Sequence, residues 1–253
     1  MDDINEAVKN GRLDILMDFH KKYKNKCTWN SQTCCYAAEN GHLECLKYAH
    51  ENGCLWDQYT CYYAAKNGHL KCLKYAHENG CFWTLETPLI AAENSHLECL
   101  KYAHKNGCDW SSETCSIAAY NGHIECLKYV HENGCPLDHV TCASAAKNGH
   151  LDCLKYAHKN GFPWDYYTCS NAAKNSHFDC LKYAYENGCP YPKEVLPTIV
   201  KKILIPKWRV SVKVRFIIFY WMERSAQSSC AENGRARIED INSFENDFNN
   251  LIV

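Results

Sequence analysis

The sequence lacks an excess of charge of either sign, because 28 basic residues stand against 29 acidic ones in a chain of 253. No overall field attracts nucleic acid or a membrane surface, so we expect neither as a partner. Long apolar runs are also missing, since the most apolar stretch, 216–222, is far too short to span a bilayer. The first residues show no basic segment followed by an apolar one, which predicts no signal peptide and a cytoplasmic location.

Recognisable catalytic motifs are missing as well. There is no glycine-rich phosphate loop, no His-Glu-x-x-His and no isolated pair of carboxylates. His42 and Cys45 could form a base and nucleophile pair, but the same pair returns in every copy of the repeat described below. An active site needs one pre-organised copy, so we expect no enzyme activity, no cofactor, no metal and no small-molecule substrate.

What the sequence does contain is a repeat with a period of 27 residues. A fixed period of roughly 20–50 residues is typical of a solenoid, in which each copy buries its apolar face against its neighbours. We therefore expect one stack of about six copies. The triplet Asn-Gly-His or Asn-Ser-His marks each copy and begins at Asn40, Asn67, Asn94, Asn121, Asn148 and Asn175.

The sequence pattern of each copy predicts two short helices. In the first copy, Thr33 is expected to cap helix one with its hydroxyl. Gly41 ends that helix, because glycine accepts the left-handed backbone geometry of a helix end. The second helix is expected over 42–51 and ends at another Asn-Gly. Neither helix is long enough to persist alone in water, so stacking must supply the stability.

Nineteen cysteines allow three interpretations: core residues, a metal site or redox chemistry. Equivalent cysteines of successive copies, such as Cys45 and Cys72, should lie one helix spacing apart, roughly 8–10 Å. That distance exceeds the ~7 Å limit for a disulfide. Cysteines at different positions of the repeat, such as Cys54 and Cys61, could still form one. Zinc would need about four ligands at short spacings, and no such group occurs. The sequence favours buried free thiols.

A tryptophan follows the second helix of most copies. It could form a ledge that binds a partner, or it could pack across the edge between repeats. Its near-invariance from copy to copy favours packing. The column consists of Trp29, Trp56, Trp83, Trp110 and Trp164, with Leu137 in the remaining position.

The copy at 87–108, TPLIAAENSHLECLKYAHKNGC, resembles the ankyrin repeat family in its Thr-Pro-Leu, Ala-Ala and Asn-Ser-His-Leu-Glu elements. The resemblance covers about the first 190 residues. It implies an all-α, helix-turn-helix solenoid with helical caps at both ends, which is a monomer and binds a protein partner. The family unit usually has about 33 residues, and the copies in this sequence are shorter. The residues that they lack fall mostly in the connection that forms a β-hairpin finger in the family.

Short units rich in cysteine, tyrosine and tryptophan are similar to the ankyrin-like proteins of giant, mimivirus-like viruses of amoebae. This resemblance would place the protein in the cytoplasm of the host cell.

Three columns of helix one vary freely between copies, and their spacing of four and three residues places them on one face, the helix-one face. In ankyrins this face lines the concave partner-binding surface. Tyrosine suits such a surface because it adds apolar area and a hydroxyl at low entropic cost. The alternative is that these positions only face solvent and vary in sequence without a role in binding. The residues that we expect to bind a partner are Tyr36, Tyr59, Tyr63, Lys66, Glu86, Ile90, Glu113, Ile117, Tyr120, Lys147, Tyr167 and Asn171.

The two ends of the chain depart from the repeat, and the predicted domains follow from this. They are an irregular capping repeat over 1–32, the ankyrin-like repeats over 33–191, a C-terminal helical cap with a basic segment over 192–226, and an acidic tail that could be disordered over 227–253.

The basic segment has three interpretations. It could be the solvated face of a helical cap, or it could contact an anion, RNA or a membrane surface with the help of Trp208. The third is a degenerate F-box-like element that begins at Leu196 and Pro197. In that case the protein would be a substrate adaptor that recruits a ubiquitin ligase.

Overall fold

The computed structural model describes residues 2–23, 30–199 and 202, and those residues form helices and connections without any strand. This confirms the predicted all-α class. Two compact units divide the chain, Met1–Pro136 and Leu137–Val253. The domain boundaries expected from the sequence stay predictions.

The described part of the first unit consists of helix pairs. The first helices of successive pairs pack side by side, and so do the second helices. Its elements are α1 (Asp2–Lys9), α2 (Leu13–Lys22), α3 (Ser31–Glu39), α4 (Leu43–Glu51), α5 (Gln58–Lys66), α6 (Leu70–Glu78), α7 (Glu86–Glu93), α8 (Leu97–Lys105), α9 (Glu113–Tyr120) and α10 (Ile124–Glu132).

The described part of the second unit follows the same plan with two helix pairs. Helix α11 packs on α13 and α12 packs on α14, and a short helical segment then covers α13 and α14. The elements are α11 (His139–Lys147), α12 (Leu151–Lys159), α13 (Tyr166–Lys174), α14 (Phe178–Glu186), a 3₁₀ turn (Lys193–Val195) and α15 (Leu196–Ile199).

The cap of helix one differs from the prediction. Helix α3 begins at Ser31, and the side chain of Asn30 accepts a hydrogen bond of 3.1 Å from the backbone N–H of Thr33. Asp138 accepts an equivalent bond of 2.9 Å from Thr141. The prediction that Thr33 caps the helix is wrong, because Asn30 supplies the cap oxygen and Thr33 therefore lies buried in the first turn.

The turn between the two helices of a repeat interlocks with the next repeat. Gly41 has a φ of 72°, and a Cβ added there would lie only 2.6 Å from Nδ1 of His69. One repeat earlier, the Nε2–H of His42 donates to the carbonyl oxygen of Lys9 at 3.0 Å. His123 makes the same 3.0 Å contact with the carbonyl oxygen of Glu93, so these histidines join the end of the preceding helix one, which confirms their structural role.

The core of each unit is built from small side chains on helix one and leucine on the second helix. In the first unit, Ala37, Ala38 and Leu46 are fully buried. Every cysteine of the described residues is buried, and none of them is in a disulfide. The described residues also contain no group of histidine, cysteine and carboxylate side chains that could hold a metal ion. The core interpretation of these cysteines is confirmed.

Several predictions from the sequence fall outside the described residues. These are Trp29, the basic segment from 203 onward with Trp208, the apolar stretch 216–222 and the acidic tail. Among the helices that the structure describes, none combines the length and the apolar character needed to cross a bilayer.

Candidate partner-binding surface

The helix-one face of the first unit contains a recess between α3 and α5. Its volume is about 310 Å³, and its lining includes Tyr36 and Glu39 from α3 with Tyr59 and Tyr63 from α5. Asp57 stands at the edge, where its carboxylate accepts a hydrogen bond of 3.0 Å from the backbone N–H of Tyr59. The helix cap therefore fixes one carboxylate beside the tyrosines.

The tyrosines of α5 support one another. The ring centroids of Tyr62 and Tyr63 lie 5.3 Å apart at an interplanar angle of 84°, and those of Tyr59 and Tyr62 lie 6.3 Å apart at 81°. These edge-to-face contacts are the favoured arrangement for aromatic pairs. Tyr59 remains 47% exposed, so the cluster offers a supported aromatic surface to solvent.

Two ammonium groups already lie over rings of this face. The Nζ of Lys9 is 4.2 Å from the ring centroid of Tyr36, and the Nζ of Lys66 is 6.0 Å from that of Tyr63. An ammonium within about 6 Å of an aromatic face is attracted by the ring quadrupole. The recess therefore provides an environment that accepts cations.

The charge of the helix-one face differs between the units. In the first unit the three variable columns carry Glu39, Glu86, Glu93 and Glu113 against Lys66, and Lys9 of α1 adds a second base to this face. In the second unit the same columns carry Lys147 and Lys174 and no acid. The first unit thus presents an acidic, tyrosine-rich face, and the second a basic one.

The expected binding residues differ in how much surface they offer. In the first unit, Tyr59, Glu86, Glu113 and Tyr120 are exposed, as are Lys147 and Tyr167 in the second. The half-buried ones are Tyr36, Tyr63, Lys66, Ile117 and Asn171.

Ile90 departs from the prediction, because only 7% of it is exposed. Helix α7 packs between α5 and α9, and these flanking helices bury Ile90. Ile90 therefore belongs to the core more than to a contact surface.

Sequence reasoning missed two exposed apolar residues. Leu55 is 80% exposed and Phe82 is 69% exposed. Both occupy the position between the cysteine and the tryptophan in the connection that leads into the next helix one. The signal was present, because this column also changes freely, to Asp109, Pro136 and Pro163.

The tryptophans pack between repeats. Trp56 stacks on His50 and meets the edge of Tyr75 at a centroid distance of 6.1 Å. The hydroxyl of Tyr75 in turn lies 3.2 Å from Nδ1 of His50. This confirms the packing interpretation for the described tryptophans. The equivalent clusters are His77, Trp83 and Tyr102; His104, Trp110 and Tyr129; and, in the second unit, His158, Trp164 and Tyr183.

Helix pairs that stack through a glycine–histidine turn, with a variable face on helix one, define a helical repeat protein of the kind that binds other proteins. Models of ankyrin repeats match residues 34–114 and 61–141 (three copies) and 142–184 (many copies). These matches together cover more than half of the chain, which belongs to the ankyrin repeat family. Proteins of this family are generally scaffolds for protein–protein interaction and are typically not enzymes.

The crystal structure of the human ASB11 ankyrin repeat domain is similar to this chain, with a TM-score of 0.56. The similarity covers 62% of this chain and 83% of that chain at 19% sequence identity. At this identity the likeness shows the fold alone. No sequence of a curated protein matches the chain.

Proposed function

We propose that the protein binds a partner protein, without catalysis, through the helix-one face of its repeats. The observation that carries this proposal is the recess between α3 and α5, where Tyr36, Tyr59 and Tyr63 stand beside carboxylates. Tyrosines held by their neighbours lose little freedom on binding, so their buried area contributes efficiently to affinity.

The charge of the first unit supports a basic partner surface. Carboxylates around an aromatic recess attract and orient lysine or arginine side chains. The exposed Leu55 and Phe82 add apolar contact area next to the start of helix one. A partner segment with basic and apolar residues therefore fits this face best.

The test compares partner capture by two variants of the full chain. Tyr59→Ala with Tyr63→Ala removes the aromatic surface, whereas Lys71→Ala with Lys74→Ala changes exposed residues of the second helix α6. Affinity isolation from the native cell with quantitative mass spectrometry should lose partners only with the tyrosine variant. If both variants retain every partner, the variable columns are drifting solvated positions and the proposal is wrong.

A second candidate is a substrate adaptor that recruits a ubiquitin ligase. Its support is that Leu196 and Pro197 open the helix α15, as expected for the start of an F-box-like element. Two full-chain variants test it, Leu196→Ala with Pro197→Ala, and deletion of 203–253. Loss of ligase subunits from both isolates would support the adaptor, and their presence with either variant would oppose it.

We also propose a cytoplasmic location, and that of the host cell if the chain is viral. The described cysteines are thiols outside any disulfide, which supports a reducing compartment. Fractionation of the native cell tests this, since recovery in a secreted fraction would contradict it.

A further inference from the structure

The first repeat places two cysteine sulfurs in contact. The Sγ of Cys34, in the first turns of α3, lies 2.9 Å from the Sγ of Cys54, which follows α4. The thiol of Cys34 donates a hydrogen bond to the sulfur of Cys54. Both residues are almost completely buried. The pair therefore joins the two ends of one helix-turn-helix unit, across a sequence separation of 20 residues.

The same separation recurs in other repeats. The thiol of Cys61 contacts the backbone oxygen of Cys81 at 3.8 Å, and in the second unit Cys169 contacts that of Cys189 at 3.9 Å. In the two exceptional repeats, a proline or a phenylalanine stands at one of the two positions. These repeats pair Pro88 with Cys108 and Cys142 with Phe162, and they provide internal controls.

We propose that these cysteine pairs are sites of oxidation, at which a low-molecular-weight disulfide such as oxidised glutathione forms one intramolecular disulfide in each paired repeat. The sulfurs of Cys34 and Cys54 must approach by less than about 1 Å to reach the bond length of roughly 2.05 Å. Equivalent cysteines of adjacent repeats, such as Cys45 and Cys72, would be separated by the spacing of two packed helices, roughly 8–10 Å. The fold thus favours pairing within a repeat over pairing between equivalent cysteines.

The hydrogen bond within the pair distinguishes its two thiols. Donation to Cys54, together with burial, raises the pKa of Cys34. Acceptance of the same hydrogen bond lowers the pKa of Cys54, although burial opposes this. Cys54 is therefore the first of the two to ionise, and it lies in the connection after α4, where local opening can admit the reagent.

The reaction is a pair of thiol–disulfide exchanges. The thiolate of Cys54 attacks one sulfur of oxidised glutathione, forms a mixed disulfide and releases one glutathione thiolate. Cys34 then loses its proton and attacks the sulfur of Cys54, which releases the second glutathione. The two protein thiols are oxidised by two electrons in total, and one oxidised glutathione is reduced to two thiols.

The consequence is a covalent restraint on the connection that carries Leu55 and Trp56. A bond between positions 34 and 54 restricts the unfolded chain and stabilises the folded repeat. Oxidation should therefore raise the midpoint of thermal unfolding, and dithiothreitol should return it to the starting value.

Peptide mapping of the full chain tests the proposal. The reduced protein is incubated with oxidised glutathione and then denatured in the presence of N-ethylmaleimide, which blocks the remaining thiols. Its peptides are identified by mass spectrometry. We expect linked peptides that join Cys34 to Cys54, Cys61 to Cys81, Cys115 to Cys135 and Cys169 to Cys189. The proposal is overturned if these cysteines carry N-ethylmaleimide or glutathione, or if they are joined to other columns.

The internal controls sharpen this result. Cys108, whose partner position on helix one of the same repeat is Pro88, should carry glutathione or N-ethylmaleimide and never an intramolecular link. In Cys34→Ala, whose fold is checked by circular dichroism, Cys54 should carry glutathione while the link between Cys61 and Cys81 persists. A disulfide between Cys54 and any other cysteine in this variant would contradict the pairing within a repeat.

Discussion

The indole of Trp56 lies flat against the imidazole of His50, with ring centroids 3.6 Å apart and an angle of 13° between the planes. The two residues come from opposite ends of the connection between repeats. Tyr75 of the following repeat completes the contact through its hydroxyl and its ring edge. The connection is therefore anchored by ring packing on the edge where repeats meet.

Replacing Trp56 should destabilise the protein. Trp56→Ala removes stacking and edge contacts from a half-buried site, and we expect a loss of roughly 2–3 kcal/mol in the free energy of unfolding. Chemical denaturation followed by circular dichroism measures this. Trp56→Leu is the matched control, since Leu137 occupies the same column, and it should cost less. Equal losses would show that packing of the rings contributes little.

Stability should fall on mild acidification. Partial burial lowers the pKa of His50 and of His158 below the ordinary value of 6.5. Below pH 6.5 the unfolded chain therefore binds more protons at these sites than the folded chain does. The contribution of these histidines to the free energy of unfolding is therefore fully present above about pH 6.5. It is lost as the pH falls towards the lowered pKa. Thermal midpoints across this pH range measure the effect, and His50→Gln should flatten the profile if the imidazole causes it.

A methyl group at Gly41 should be costly for two reasons. Gly41→Ala places an L residue at a φ of 72° and sets its Cβ against the ring of His69. Gly53→Ala meets only the backbone penalty, because nothing lies within 4 Å of its added Cβ. We expect a loss of about 1–2 kcal/mol at Gly53 and a larger one at Gly41, as measured by denaturant titration. Equal losses would mean that His69 shifts freely.

The exposed apolar residues of the connections should affect binding without affecting the fold. Leu55→Asp with Phe82→Asp should weaken binding of an identified partner by roughly tenfold or more, or about 1.4 kcal/mol, as measured by calorimetry. The free energy of unfolding should change by less than ~0.5 kcal/mol, because Asp109 occupies the same column. Unchanged affinity would remove these residues from the proposed surface.

Much of the fold could be predicted from the sequence because it is local and repeated. Asn-Gly marks the helix ends, and the second helix was expected over 42–51 and lies at Leu43–Glu51. The backbone contact of His42 and the packing of Trp56 followed from columns that do not change. Six copies of one pattern distinguish residues that the stack needs from residues that it leaves free.

The errors arose where tertiary contacts decide the outcome. The sequence did not show that Asn30 caps α3 in place of Thr33, because both residue types are good caps and only the backbone geometry separates them. The burial of Ile90 depends on helices that flank α7. Contact between Cys34 and Cys54 depends on how the two helices fold back, which a comparison of equivalent positions does not reveal.

The close approach of Gly41 and His69 also limits how such a chain can change in length. The turns at Gly41 and Gly68 each leave a space that the histidine of the following copy fills, so part of such a copy cannot be removed without leaving that space empty. Removing one whole period from the first unit would bring His96 to Gly41, and His96 already occupies the same position beside Gly68. The first unit can therefore lengthen or shorten by whole copies, as duplication or loss of an intact segment would produce.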